Sequence, residues 1–110
     1  MKVSEFAAEL GLEYISGEQA QDREISGCYI GDLLSWVMGR ALDGNVWITI
    51  MSNINIVAVA SLTEAACVLL AENVVPDENV IKKAEMQDVI ILKSDKTAYE
   101  LATRLYELIK

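Results

Sequence analysis

Val46-Trp47-Ile48-Thr49-Ile50-Met51, then Ser52-Asn53-Ile54-Asn55, then Ile56-Val57-Ala58-Val59-Ala60, is the stretch on which the fold turns. Its first six residues alternate bulky and β-branched side chains without a charge, as in a central strand covered on both faces. Ser52 and Asn53 interrupt the run with side chains suited to helix caps, and a helix is predicted beyond them to about Ala60. From Gly44 to Thr63 the chain runs 20 residues without a charge, which is membrane-spanning length. Ser52, Asn53 and Asn55 lie at its middle, and no lysine or arginine occurs between Arg40 and Lys82. Both features argue against a span. A buried strand, a polar turn and a buried helix fit better.

The pattern repeats outward. Towards the C-terminus, Ala66 to Leu70 and Val89 to Leu92 are further apolar runs of strand length. Between them Pro76-Asp77 opens a predicted helix to about Gln87, with Val80, Ile81 and Ala84 inward. Asp95 or Ser94 is expected to cap a last helix, on which Ala98, Leu101, Ala102, Leu105, Leu108 and Ile109 form one apolar stripe. Tyr99 and Tyr106 flank that stripe and are expected to pack along its edge rather than form a partner-binding pair. Towards the N-terminus, Asp43-Gly44-Asn45 is a turn, and Asp32 is expected to cap a helix with Leu33, Trp36 and Val37 on one face. Ile25 to Ile30 and Leu12 to Ser16 read as strands, with Gly17 to Glu24 a polar loop between them. Ser4 is the expected cap of a first short helix that Gly11 closes in the left-handed conformation. Apolar runs alternating with amphipathic helices predict an α/β domain with a mostly parallel sheet between helices, one domain over residues 1–110.

The residue inventory excludes much chemistry. There is no histidine among the 110 residues, which removes Ser-His-Asp and Cys-His triads, histidine metal sites and imidazole acid–base catalysis. Nine basic against 17 acidic side chains give a net charge of −8, a field that repels nucleic acid and anionic membrane surfaces. Cys28 and Cys67 each lie in an apolar stretch without a CxxC spacing, as reduced thiols of a cytoplasmic protein do. The N-terminal residues lack the apolar core of a signal peptide. Gly39-Arg40-Ala41-Leu42-Asp43-Gly44 has phosphate-loop glycine spacing, but Asn45 and Val46 stand where Lys and Ser/Thr would be needed. No metal or cofactor is expected.

Two segments differ from ordinary packing. Asp22-Arg23-Glu24-Ile25-Ser26-Gly27 sets a charged pair and a Ser-Gly step at the start of a strand. Loop charges and a close backbone approach at Gly27 would explain it structurally; Arg23 and neighbouring amides would explain it as an anion site. Ser52-Asn53-Ile54-Asn55 lies at the carboxyl end of the central strand, where α/β folds hold ligands, although capping alone would also account for it.

At these residues the sequence resembles a known family. Asp22-Arg23-x-Ile25-Ser26-Gly27, Tyr29-x-Gly31-Asp32-Leu33-Leu34-Ser35, Trp47-Ile48-Thr49-Ile50 and Asn55-Ile56-Val57-Ala58-Val59-Ala60 are similar to the DRTGG domain family, as is the opening Val3-Ser4-Glu5 with Leu10-Gly11-Leu12-Glu13. The threonine of the family name is Ser26 here, its second glycine is Cys28, and the family's frequent Thr-His is Ser52-Asn53. The resemblance implies a three-layer α/β/α domain like the N-terminal domain of HPr kinase. Related domains occur between CBS domains of regulated pyrophosphatases and ahead of phosphotransacetylase catalytic domains. The kinase chemistry belongs to a separate phosphate-loop domain that these residues do not contain.

Together with the non-catalytic residue inventory, the resemblance implies a stand-alone, non-catalytic regulatory domain, homodimeric, acting through a small ligand such as a nucleotide or other anion, or through a partner protein. Asp22, Arg23, Ser26, Gly27, Asp32, Ser52, Asn53 and Asn55 would form the ligand site. A pure protein–protein interaction module is the alternative, and a metal-dependent enzyme a more distant one.

Overall fold

A computed structural model describes all 110 residues. In chain order the elements are α1 (Val3–Leu10), β1 (Glu13–Ser16), β2 (Gly27–Ile30), α2 (Leu34–Arg40), β3 (Asn45–Thr49), α3 (Asn55–Leu62), β4 (Cys67–Leu70), α4 (Glu78–Met86), β5 (Ile91–Lys93) and α5 (Ala98–Ile109). The five strands form one sheet in the order β1-β5-β4-β3-β2. β2, β3, β4 and β5 run parallel, and β1 joins β5 antiparallel.

This order decides the layers. Each parallel strand is added to the same side of the one before it, and crossovers between parallel strands are right-handed. The connecting helices α2, α3 and α4 must therefore share one face, and the terminal helices α1 and α5 remain to cover the other. Alternation along the strands follows this division. Val46, Ile48, Cys67, Leu69 and Leu92 pack with Val3 and Phe6 of α1 and Leu101 and Leu105 of α5. Trp47, Val68, Leu70 and Ile91 pack with Val37, Ile56, Val57, Val80 and Ala84. Every residue of β3 is buried, as its uncharged sequence requires. The Trp47 indole N–H donates to the Gly31 carbonyl at 2.9 Å, so its one polar atom is satisfied inside the core. The α/β/α layering and mostly parallel sheet match the sequence expectation.

The helix caps differ from it. Ser4 does not cap α1 but lies in its first turn, giving its N–H to Asp22 Oδ1 at 3.0 Å. The carboxylate, on a loop 18 residues away, serves the helix N-terminus. Gly11 closes α1 at φ 64°, as expected. Thr97, rather than Asp95 or Ser94, caps α5 in a reciprocal box: its hydroxyl accepts the Glu100 N–H at 3.2 Å while Glu100 Oε1 accepts the Thr97 N–H at 3.1 Å. Asp32 caps nothing; its carboxylate is held by β3. Leu33 and Trp36 do not face the core, for α2 lies at the rim of its layer and only Val37 is fully buried.

Candidate functional site

β1 and β2 occupy opposite edges, so residues 17–26 must cross the whole sheet between them. They do so beneath the amino ends of the parallel strands, and the Asp22–Gly27 segment is the strap that makes the crossing. Asp22 holds α1. Arg23 pairs with Glu64 at 2.8 Å and donates to the Ala65 carbonyl at 3.2 Å, tying the strap to the approach of β4. Glu24 receives the N-terminal ammonium group, which holds its carboxyl below the usual glutamate range. Ile25 is buried, and its N–H donates to the Met1 carbonyl at 2.9 Å. The Ser26 hydroxyl donates to the Asp43 carbonyl at 2.7 Å and accepts from Asn45 Nδ2 at 3.3 Å. A Cβ on Gly27 would lie 3.3 Å from that same amide nitrogen. Beside the strap is a polar cleft of about 490 Å³ lined by Gln21, Arg23, Ser61, Glu64, Gln87 and Asp88. The Arg23 guanidinium in its wall is already neutralised by Glu64.

The other four candidate residues lie at the opposite end. Asp32 Oδ1 accepts the Thr49 hydroxyl at 2.7 Å and the Ile50 N–H at 3.0 Å, stitching the end of β2 to the end of β3. Asn53 Oδ1 accepts the Asn55 N–H at 2.9 Å and its carbonyl accepts the Ile56 N–H at 3.2 Å, so Asn53 starts α3 from two positions upstream. Ser52 is half-buried and Asn55 exposed. β3, five residues long, separates this cluster from the strap by roughly 15 Å. Asp22, Arg23, Ser26 and Gly27 are thus one group, and Asp32, Ser52, Asn53 and Asn55 another. No single site contains all eight.

A third region was not among the sequence candidates. Between β2 and α5 runs an apolar groove of about 600 Å³ lined by Cys28, Ile30, Tyr99, Ala102, Tyr106 and Ile109. Tyr99 and Tyr106 stand out from α5 instead of packing along its stripe, at 78% and 66% exposure. Their spacing of seven on one helix was the available signal. Cys28 lines the groove, where partial loss of hydration raises its thiol to about 11, and full burial pushes Cys67 higher still. Neither thiol is a thiolate at neutral pH, so neither has the activation a catalytic cysteine needs. No three acidic or cysteine side chains converge as a metal centre would require.

The comparisons agree with this fold. The family model described as the DRTGG domain matches residues 5–108. The chain belongs to the DRTGG domain family. The CBS and DRTGG domains of the regulatory region of a Clostridium perfringens pyrophosphatase, solved with the activator diadenosine tetraphosphate, superpose with a TM-score of 0.73 at 12% identity. The match covers 94% of this chain and 44% of that one, so this DRTGG domain spans less than half of its structural neighbour. No curated protein matches the chain. In this DRTGG domain the residues of the family signature hold the strap to α1, β3 and β4. No helix is long and apolar enough to cross a membrane.

Proposed function

We propose that this DRTGG domain, one unit over residues 1–110, is a cytoplasmic regulatory module without chemistry of its own, that it acts by association as a homodimer, and that a small anionic ligand or a partner protein sets its state. The observation that carries the reading is the exposed apolar groove between β2 and α5, an uncharged strip on a molecule of net charge −8. Two protonated thiols and the absence of histidine support the non-catalytic part. The pyrophosphatase regulatory region, solved with a dinucleotide activator, supports a nucleotide as the ligand class. Either end of the sheet would supply contacts: Arg23 with Ser26 and Gly27 at the strap, or the amides around Ser52, Asn53 and Asn55 beside Asp32.

Light scattering and a thermal-shift screen test the two parts separately. The expected mass is twice 12.1 kDa. A nucleotide at 100 times its Kd should add about 2.7 kcal/mol of stability. A dimer with no shift for nucleotides, acyl phosphates or coenzyme A would make the domain an interaction module that binds no small anion. A monomer at every concentration would remove the association reading.

A further inference from the structure

β2 is an edge strand without protection. Proteins blunt such edges with charges, proline, bulges or a covering segment, because the outward N–H and C=O groups template another strand. Gly27-Cys28-Tyr29-Ile30 has no charge and no proline, and its register against β3 is uninterrupted. β1, at the other edge, is bulged between Tyr14 and Ser16 and carries Glu13, which faces Lys93 at 3.8 Å. The flanks of β2 are open as well. On one side Leu33, just ahead of α2, and Trp36 on it are exposed, with Arg40 stacked 3.7 Å above the indole; on the other α5 exposes Tyr99 and Tyr106. Ile30, in the strand itself, is 51% exposed, and exposed aromatic side chains of this kind are enriched in interface cores.

We propose that the occupant of this edge is a second copy of the chain, its β2 running antiparallel to this one about a two-fold axis perpendicular to the sheet. The inference rests on the association reading above and names its surface. Two sheets of five strands then become one of ten. Such an axis keeps α5 on the same face as the partner's α5, and α2 on the same face as the partner's α2. Because α5 packs over β2 and β3, the two α5 helices would lie roughly 10 Å apart, an ordinary helix-packing distance. The tyrosines of each α5 would then fill the groove of the joint surface. Charge favours this face: none of the groove's lining residues is charged, so two copies of −8 meet where repulsion is least. A heterologous use of one edge would leave the other copy's edge open, whereas the two-fold contact closes both.

The test combines light scattering with amide hydrogen exchange across a dilution series of the whole chain. The expected result is a dimer in which the outward-facing β2 amides, those of Cys28 and Ile30, exchange at least about tenfold more slowly above the dissociation constant than below it, with β1 unchanged. Ile30→Lys puts an ammonium group into both halves of the contact and should weaken dimerisation at least about 30-fold. Tyr106→Glu, on α5 across the groove from the strand, should do the same while circular dichroism stays native. A dimer with concentration-independent β2 exchange and normal assembly of both variants would overturn this surface and leave the association reading standing. A chain that is monomeric throughout would overturn both.

Discussion

The two edges of the sheet solve one physical problem in opposite ways. β1 ends its pairing with a bulge, adds an ion pair, and passes directly into a loop that turns under the sheet. β2 pairs cleanly with β3 and then presents glycine, cysteine, tyrosine and isoleucine to solvent between two helices with exposed aromatic rings. The first edge is finished within the chain, and the second is left open to solvent. A domain that signals by association needs this asymmetry, because two finished edges would leave it inert and two open ones would let it polymerise.

Substitutions that separate the closed side from the open one would break or sharpen this contrast. The largest effect is expected at Gly17, which follows β1 at φ 79°; a Cβ there would stand 2.7 Å from Ile90 Cα and 2.8 Å from the Val89 carbonyl oxygen. Both neighbours are backbone and cannot yield cheaply, so Gly17→Ala should cost about 2–4 kcal/mol in urea unfolding. A loss below about 0.5 kcal/mol would mean that the closed edge is softer than its packing indicates. Asp22→Ala removes the carboxylate from the α1 terminus and should cost about 1 kcal/mol, with Asp22→Asn recovering most of it. Arg23→Ala should cost less than about 1 kcal/mol, because the pair with Glu64 is substantially exposed. If Arg23 also contacts a nucleotide, the same variant loses the ligand-induced thermal shift. None of these three should move the dimer mass, whereas Ile30→Lys should move only that.

Acid and salt give smaller, directional effects. Glu24 beside the N-terminal ammonium and Glu100 in the α5 cap both have lowered carboxyl pKa values. Their contribution is present above the unfolded carboxylate range and is lost as the pH falls through the folded values. Unfolding midpoints measured down to about pH 3 should fall less steeply for Glu24→Gln and Glu100→Gln than for the parent. Added salt should act in opposite senses at the two regions. It screens the repulsion between two −8 copies and tightens dimerisation by about two- to threefold, and it slightly weakens the Arg23–Glu64 pair.

The strands and their parallel alternation with helices were legible because burial dictates composition: β3 and β4 are uncharged for the reason that both faces are covered. Helix ends were less legible. Ser4, Asp32, Asp95 and Ser94 are all competent caps, but the partners that matter are set by the tertiary fold, as with Asp22 reaching Ser4 and Asp32 reaching Thr49. The same limit applies to Leu33 and Trp36. A helical period of apolar residues reads identically whether the face meets the core or looks outward. The strap and the Asn53 turn were recognisable as unusual sequence, yet their separation by the length of β3 follows from the parallel pairing of β2 with β3, a long-range contact that no local pattern records.

The one-directional winding of the sheet has a consequence for the nascent chain. With α2, α3 and α4 committed to one face, the other is sealed only when Leu101 and Leu105 arrive beside Val3 and Phe6. During synthesis, the part of that face which α5 covers therefore stays open while α1 alone shields the rest. Folding of this domain thus waits for its last element, and a chaperone that shields one sheet face would act before α5 docks.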